Sequence, residues 1–505
     1  MYGDFLGHLT GVLGTPELIA LSAIGAILGI VLGCLPGISS TMSLAILLPV
    51  TYAMAPEAAI VFLIGVFSAS VYGGSISAIL LNIPGTPGAI VTQLDGYPMA
   101  RSGRAGEALT IALFSSTLGG IVGLLVLMLI APLIVAGAMQ FRSPEFAAAT
   151  VFGLTMLAYA SPGSTFKGLM AGLVGLVCGM VGFDTVTDTP RFTFGTTLLE
   201  SGIDLVPLTV GIFGLAEVMR TIELGSAKTA AVERIGRLIP PWRSLLGLWG
   251  SIGRGSILGA VVGAIPAAGS AIAVAVSYTQ EQRLSRHPER FGKGAPEGIA
   301  APEASNNACV GGALVPMMTL GIPGDSMTAI LMASLLIHGL RPGPMLFADR
   351  PDFVAAVYVA LFLALIFTLI FGLVFIRQIV RLLQLPPNIL LVIVTLLCFV
   401  GAFAIRNNVD DVIVMVAFGV IGFIMTRLKI PIAPLAFGLI LGPILEENLR
   451  RALIVSDGSW LVFVERPISA TLLAISLLAV LYPMISPSLR KGLKVGRAKR
   501  LNDVE

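Results

Sequence analysis

Near-continuous apolar runs of about twenty residues recur along the whole chain and leave few folds open to it. They cover residues 17–36, 41–72, 108–138, 146–159, 168–183, 205–219, 256–278, 353–376, 389–405, 412–426, 432–445 and 470–485. A run of this length spans a bilayer as a helix, and the runs are continuous where the strands of a barrel would alternate. Composition agrees: 56% of the 505 residues are hydrophobic and 12% are charged, against roughly 25% charged in an ordinary soluble domain. The expected fold is therefore an all-α polytopic membrane protein with about ten to twelve crossings and some re-entrant pieces. The N-terminus lacks the basic stretch of a secretory signal, so the first span is expected to be retained. Cys34, Cys178, Cys309 and Cys398 are scattered through apolar stretches and read as small buried hydrophobes. His8, His287 and His338 show no metal-ligand spacing, so no metal site and no cofactor are expected.

Two patterns of helix-breaking residues appear twice. Gly29, Gly33, Pro36 and Ser40 are answered 230 residues later by Gly259, Gly263, Pro266 and Ser270. Gly73-Gly74 and Ile83-Pro84-Gly85 are answered by Gly311-Gly312 and Ile322-Pro323-Gly324, at offsets of 238 and 239. In an apolar chain, paired interruptions point to a secondary transporter built from repeats, with substrate and coupling ion held where helices break. Gly29 and Gly33 taken alone read as a helix packing face before they read as a ligand site.

Charge placement orients the repeats. Residues 1–100 contain no Lys or Arg. Arg220, Lys228, Arg234, Arg237, Arg243 and Arg254 mark a central loop, and a basic cluster fills the tail, so both are expected in the cytoplasm. The tail is short and lacks aromatics, which argues against nucleic acid. The run 256–278 has basic loops on both flanks, as a hairpin entering and leaving by one face would, whereas the run around Pro36 has none. That predicts an inverted repeat, about residues 17–200 against 245–400. The chain divides accordingly: 1–200 first repeat, 201–254 connecting helix and basic loop, 255–400 second repeat, 401–486 C-terminal helices, and 487–505 basic tail.

Candidate site residues follow from the breaks. Ser39, Ser40 and Thr41 follow the first hairpin turn and Ser270 the second. Asn82 and Thr86 lie in the first interruption, NIPGTPG, and Ser326 in the second, TLGIPGDSM; Asn306 and Asn307 occupy a stretch too polar for lipid. These nine are the expected substrate ligands, because hydroxyls, amides and freed backbone groups offer hydrogen bonds without adding charge. Asp325 is the acid set in this machinery, a sodium ligand or proton carrier, or simply the cap of the next half-helix. Thr319, Pro36, Gly37, Gly85, Pro323 and Gly324 frame the ion-coupling region with it. Glu297 and Glu303 are expected at the cytoplasmic mouth, and Asp184, Asp188 and Asp204 in a loop facing water.

Three runs carry a resemblance: GCLPGISSTMSLAILLP at 33–49, YGGSISAILLNIPGTPGAIVTQLDGYPMARSGRAGEAL at 72–109, and PEASNNACVGGALVPMMTLGIPGDSMTAILMASLLIHGLRPGP at 302–344. They resemble the large membrane subunit of the tripartite tricarboxylate transporters. The second hairpin departs from the first in reading Pro266-Ala267 for Pro36-Gly37. The resemblance implies a bacterial inner-membrane permease working with a small four-span membrane subunit and a periplasmic solute-binding protein. It further implies carboxylate uptake coupled to sodium or protons, and an architecture akin to elevator-type transporters. A stand-alone carboxylate symporter shares every residue feature named above. An intramembrane enzyme lacks a His beside Ser40 or Ser270, and a channel would not need paired broken helices.

Overall fold

A computed structural model describes residues 7, 10–160, 164–184, 187–225, 245–266, 268–383 and 387–482. The basic residues at 228–243, the tail 487–505, His8 and Ala267 lie outside the described residues. Within the described residues the chain is α-helical, apart from a two-residue antiparallel pairing of Gly182–Phe183 with Pro190–Arg191. Among the described residues six helices are long and apolar enough to cross a membrane, and shorter apolar helices accompany them. Large apolar side chains point outward, among them Leu133, Phe166 and Val392 at 69%, 69% and 67% exposure, as a surface solvated by lipid requires.

The chain forms two compact units. The first comprises Met1–Gln140 with Thr193–Arg427, and the second Phe141–Phe192 with Leu428–Glu505. In the first unit the helices are α1 (Pro16–Cys34), α2 (Ser40–Leu47), α3 (Pro56–Leu81), α4 (Thr92–Met99) and α5 (Ala105–Ala138). In the second unit are α6 (Ser143–Ala160) and α7 (Thr165–Gly179). The first unit resumes with α8 (Leu205–Leu224), α9 (Trp249–Gly263), α10 (Gly269–Leu284), α11 (Glu297–Leu320) and α12 (Ser326–Ile337). It closes with α13 (Pro351–Val374), α14 (Pro387–Ala404) and α15 (Val409–Arg427). The second unit ends with α16 (Ala433–Val455) and α17 (Pro467–Tyr482).

Glycine spacing explains how the first unit is built. Along α1, Gly25, Gly29 and Gly33 lie against the carbonyls of Phe62, Val66 and Ser70 on α3; a Cβ on Gly29 would stand 2.6 Å from the Val66 oxygen. Along α9, Gly255, Gly259 and Gly263 lie against the carbonyls of Ala301, Ser305 and Cys309 on α11. Four-residue spacing puts each trio on one helix stripe, and the missing side chains let backbones touch. The donors of these approaches are 230 residues apart and the receivers 239. Gly73 against Ile30 is matched by Gly312 against Ala260, which re-registers the helix pair by one residue: Gly73 answers Gly312, not Gly311. The packing reading of Gly29 and Gly33 thus describes what they do here. Cross-contacts have the same correspondence, α3 packing on α13 and α11 on α5.

In the second unit α16 packs on both α6 and α7, with Gly175 against Leu435 and Gly438 against Gly172. Asp184 does not face water as expected. It is buried, because Arg191 and Arg450 reach it at 3.5 and 2.9 Å. Asp188 is exposed, and Asp204 caps α8 through Val206 N–H at 3.0 Å.

Candidate substrate and ion site

Both expected interruptions are chain breaks of one design. α3 ends where Asn82 enters the left-handed region (φ 57°, ψ 29°), and α11 ends at Gly321 with φ 67°, ψ 26°. Each is followed by a bond that closes six residues back, Ile83 N–H to the Ser77 carbonyl (3.5 Å) and Ile322 N–H to the Pro316 carbonyl (3.3 Å). The chain then folds over its own helix: a Cβ on Gly85 would lie 2.8 Å from Gly74 Cα, and one on Gly324 2.8 Å from Ala313 Cα. Only glycine lets the backbone return this closely.

After the second break, Asp325 caps α12. Its Oδ1 accepts the Thr328 N–H at 2.8 Å, and its own N–H donates to Thr328 Oγ1 at 2.8 Å, a reciprocal capping box. Of the two roles weighed for Asp325, capping is the one visible in the geometry. Ser326 is half-buried beside it, and Pro323 and Gly324 are buried. Thr86, which occupies the place of Asp325 after the first break, is 5% exposed, and its hydroxyl has no hydrogen-bond partner.

The hairpin turns carry the remaining expected hydroxyls. Gly37 adopts φ +89° between α1 and α2, with Pro36 beside it half-buried. Ser39 caps α2 by accepting the Met42 N–H at 3.1 Å; Ser40 is buried with an unpartnered hydroxyl, and Thr41 is half-buried. α2 packs on α12, the helix that Asp325 begins, while α10, which carries half-buried Ser270, packs on the Pro87–Ala89 turn. Each hairpin therefore leans on the break of the other half.

Asn306 joins the first break. It is 1% exposed, a Cβ on Gly88 would run into its amide, and neither amide atom has a partner. A buried amide without a partner costs about 1–3 kcal/mol unless something else binds it. Three expected ligands are placed elsewhere or already engaged. Asn82 is exposed at the α3 terminus, Asn307 donates to the Glu303 carbonyl at 3.5 Å, and Thr319 donates to the Val315 carbonyl at 2.7 Å.

Glu303 is not at a mouth: it is fully buried, because α3, α4 and α5 enclose this stretch of α11. Its carboxyl accepts from Ser75 (2.6 Å), Thr92 and Ser116 (2.9 Å). Asp95 of α4 is also fully buried, accepting the N–H groups of Lys293, Gly294 and Ala295 at 3.1, 2.9 and 2.8 Å and the Tyr278 hydroxyl at 2.8 Å. It ties the α10–α11 connection to the segment after the first break. The sequence hides both assemblies because their partners lie about two hundred residues away; the one local signal is a glutamate in a stretch too polar for lipid.

The architecture and these breaks define a polytopic α-helical membrane protein in which two interrupted helices converge with buried, uncharged polar groups. Residues 19–437 match the Tripartite tricarboxylate transporter TctA family, and the chain belongs to that family. It is 38% identical over 476 residues to an uncharacterized 52.8 kDa protein in the TAR-I ttuC′ 3′ region of Agrobacterium vitis, covering 94% of this chain and 95% of that one. A protein in the TAR-II ttuC′ 3′ region of the same organism is 35% identical over 232 residues, covering 46% of this chain and 96% of the relative.

Proposed function

We propose that this chain is the large permease subunit of a binding-protein-dependent carboxylate uptake system of the bacterial inner membrane. It acts with a small membrane subunit and a periplasmic solute-binding protein, and accumulation is driven by a sodium or proton gradient. The observation that carries the reading is the buried Asn306 amide, unpartnered and set against Gly88 in the first break. Thr86 in the same break and Ser40 at the first hairpin turn add neutral, unpartnered hydroxyls, and no Lys or Arg belongs to either break.

In this reading Ser39, Ser40, Thr41, Thr86, Ser270, Asn306 and Ser326 contact the carboxylate, with Asn82 and Asn307 bordering it. Half-helix N-termini supply the positive end of a dipole. Asp325 is the ion-coupling acid of the second break, framed by Thr319, Pro323 and Gly324, with Pro36, Gly37 and Gly85 at the opposite turns. The two halves stand inverted in the membrane with the C-terminus cytoplasmic, and one bundle moves as a body past the other.

The test is uptake of radiolabelled citrate and other carboxylates into proteoliposomes holding the chain and its small subunit. Binding protein is added or withheld, under a sodium or a proton gradient. Accumulation that requires the binding protein and one gradient supports the tripartite reading. Accumulation without the binding protein refutes that part of it and leaves a stand-alone carrier.

A further inference from the structure

Glu303 stands apart from every other buried carboxylate among the described residues. Six are buried: Asp95, Glu145, Asp184, Glu281, Glu303 and Asp411. Four face a guanidinium: Glu145 with Arg466, Asp184 with Arg191 and Arg450, Glu281 with Arg254, and Asp411 with Arg406. Asp95 has three backbone N–H donors and a phenol. Glu303 has hydroxyls alone, one from each of three helices: Ser75 at 2.6 Å and Thr92 on Oε1, and Ser116 at 2.9 Å on Oε2.

A hydroxyl donates or accepts through the same oxygen after a simple rotation, which guanidinium and backbone N–H groups cannot do. The cage therefore suits both forms of the side chain. With the carboxylate, all three hydroxyls donate; with the acid, one turns to accept the new O–H while the other two go on donating. A metal ion fits poorly, since the ligand oxygens already stand at direct hydrogen-bond separation from the carboxyl oxygens. The polar surroundings continue outward: Ser115 and Tyr72 have unpartnered buried hydroxyls, and Asn306 lies one helical turn beyond Glu303 on the same face. Through Thr92 and through Gly88, α11 thus grips the segment after the first break at two points.

We propose that Glu303, caged by Ser75, Thr92 and Ser116, is a proton-binding site that is occupied and emptied during transport. One proton from the aqueous phase bonds to a carboxyl oxygen and later leaves it, with no redox change. Its arrival replaces a Thr92 or Ser116 hydrogen bond donated to the carboxylate by one accepted from it, and so alters the hold of α11 on α4 or α5. The proposal rests on the carrier reading and deepens it by making the coupling ion a proton and placing an acid behind the first break, as Asp325 stands at the second.

The other titratable or charged groups on the elements around this cage are accounted for. Tyr72 comes from α3, whose Glu57 pairs with Arg350 at 2.7 Å; Tyr97 of α4 is half-buried, Cys309 of α11 is buried, and Asp95 and Tyr278 bind each other across α4 and α10. Glu107 of α5 pairs with Arg104, and Arg254 of α9 with Glu281 of α10. Arg283 of α10 and Asp349 are exposed, Glu297 is half-buried at the start of α11, and Asp325 is held by Thr328.

The experiment uses the full chain with its small subunit and has a readout that does not depend on transport. Infrared difference spectra of wild type and Glu303→Gln are recorded across a pH titration. The chain holds 28 Asp and Glu residues, so the readout is the wild-type spectrum minus that of Glu303→Gln, in which a protonated-carboxyl C=O component is expected to rise and fall with pH. No such component in that double difference overturns the proposal. In proteoliposomes with the binding protein, Glu303→Gln is expected to lose proton-driven citrate accumulation down to the equilibrium level while retaining citrate counterflow. Wild-type accumulation by the variant, or accumulation in wild type driven by sodium alone at constant pH, overturns it. A wild type that moves no carboxylate defeats the carrier reading, and the infrared titration still decides Glu303. Should Glu303→Gln fail to insert, Ser75→Ala and Ser116→Ala are expected to shift the midpoint of the band, and an unmoved midpoint overturns the proposal.

Discussion

Replacing Gly29 by alanine tests whether backbone contact between helices holds the first unit together. The new Cβ would stand 2.6 Å from the Val66 carbonyl oxygen, 2.9 Å from Ala69 Cβ and 3.0 Å from Ser70 N. Ordinary contact begins near 3.4 Å, so α1 and α3 would have to separate by about 0.8 Å, and two of the three obstacles are backbone that cannot rotate away. Overpacking of this kind costs roughly 1–3 kcal/mol, and the better helix propensity of alanine returns about 1 kcal/mol, for a net loss of up to about 2 kcal/mol. Gly253 on α9 is the matched control, since a Cβ there meets nothing within 4 Å. The same substitution at Gly253 should be neutral or stabilising by up to about 1 kcal/mol. The assay is the midpoint of heat-induced loss of monodisperse, detergent-purified protein, read as a rank order because membrane proteins unfold irreversibly. The expected order is Gly253→Ala at or above wild type and Gly29→Ala clearly below. Equal midpoints for the two variants would refute the packing argument.

Three further outcomes follow from the same structure. Asp95→Ala leaves the Gly294 and Ala295 N–H groups and the Tyr278 hydroxyl without their acceptor, the Lys293 N–H keeping the Arg290 carbonyl at 3.0 Å, and should lower stability by about 3 kcal/mol or more, whereas Tyr278→Phe, which leaves the three N–H bonds intact, should cost about 1 kcal/mol; thermal midpoints of the two variants check this. Asp325→Ala should lose about 1 kcal/mol of cap, while Asp325→Asn keeps an oxygen for the Thr328 N–H and should fold and insert like wild type. Uptake by Asp325→Asn then isolates coupling: its gradient-driven accumulation is expected to be abolished, and wild-type accumulation would remove Asp325 from that role. Arg466→Ala leaves Glu145 buried without its guanidinium and should cost about 3–5 kcal/mol, with Glu145→Gln on the same background restoring part of the loss in a melting assay.

The sequence announces what depends on spacing and hides what depends on distance. Long apolar runs declare membrane helices because a bilayer has one thickness, and Gly29 and Gly33 declare a contact stripe because a helix has one pitch. The breaks at Asn82 and Gly321 were equally readable, since Pro and Gly in an apolar run have few other uses. The pairing of Gly73 with Gly312 was misjudged by one residue, because two adjacent glycines look alike until a neighbour's carbonyl selects one. Glu303 reads from the sequence as a residue of the cytoplasmic mouth, and the structure buries it completely. Its three hydroxyls come from residues 187 to 228 positions away, and nothing local distinguishes a caged glutamate from one near water. Asp184 failed for the same reason, since Arg450 arrives from 266 residues further on.

The glycine stripes also restrict how the protein can move. Two helices separated by a layer of side chains can slide, because rotamers exchange one set of neighbours for another. Where Gly259 and Gly263 rest directly on the carbonyls of Ser305 and Cys309, sliding would drive one backbone up over the next carbonyl with no side chain to yield. The α1–α3 and α9–α11 pairs therefore behave as welded struts. Any displacement that carries a substrate must be taken up at joints outside them, and each strut delivers the shift undiminished to the chain break at its end.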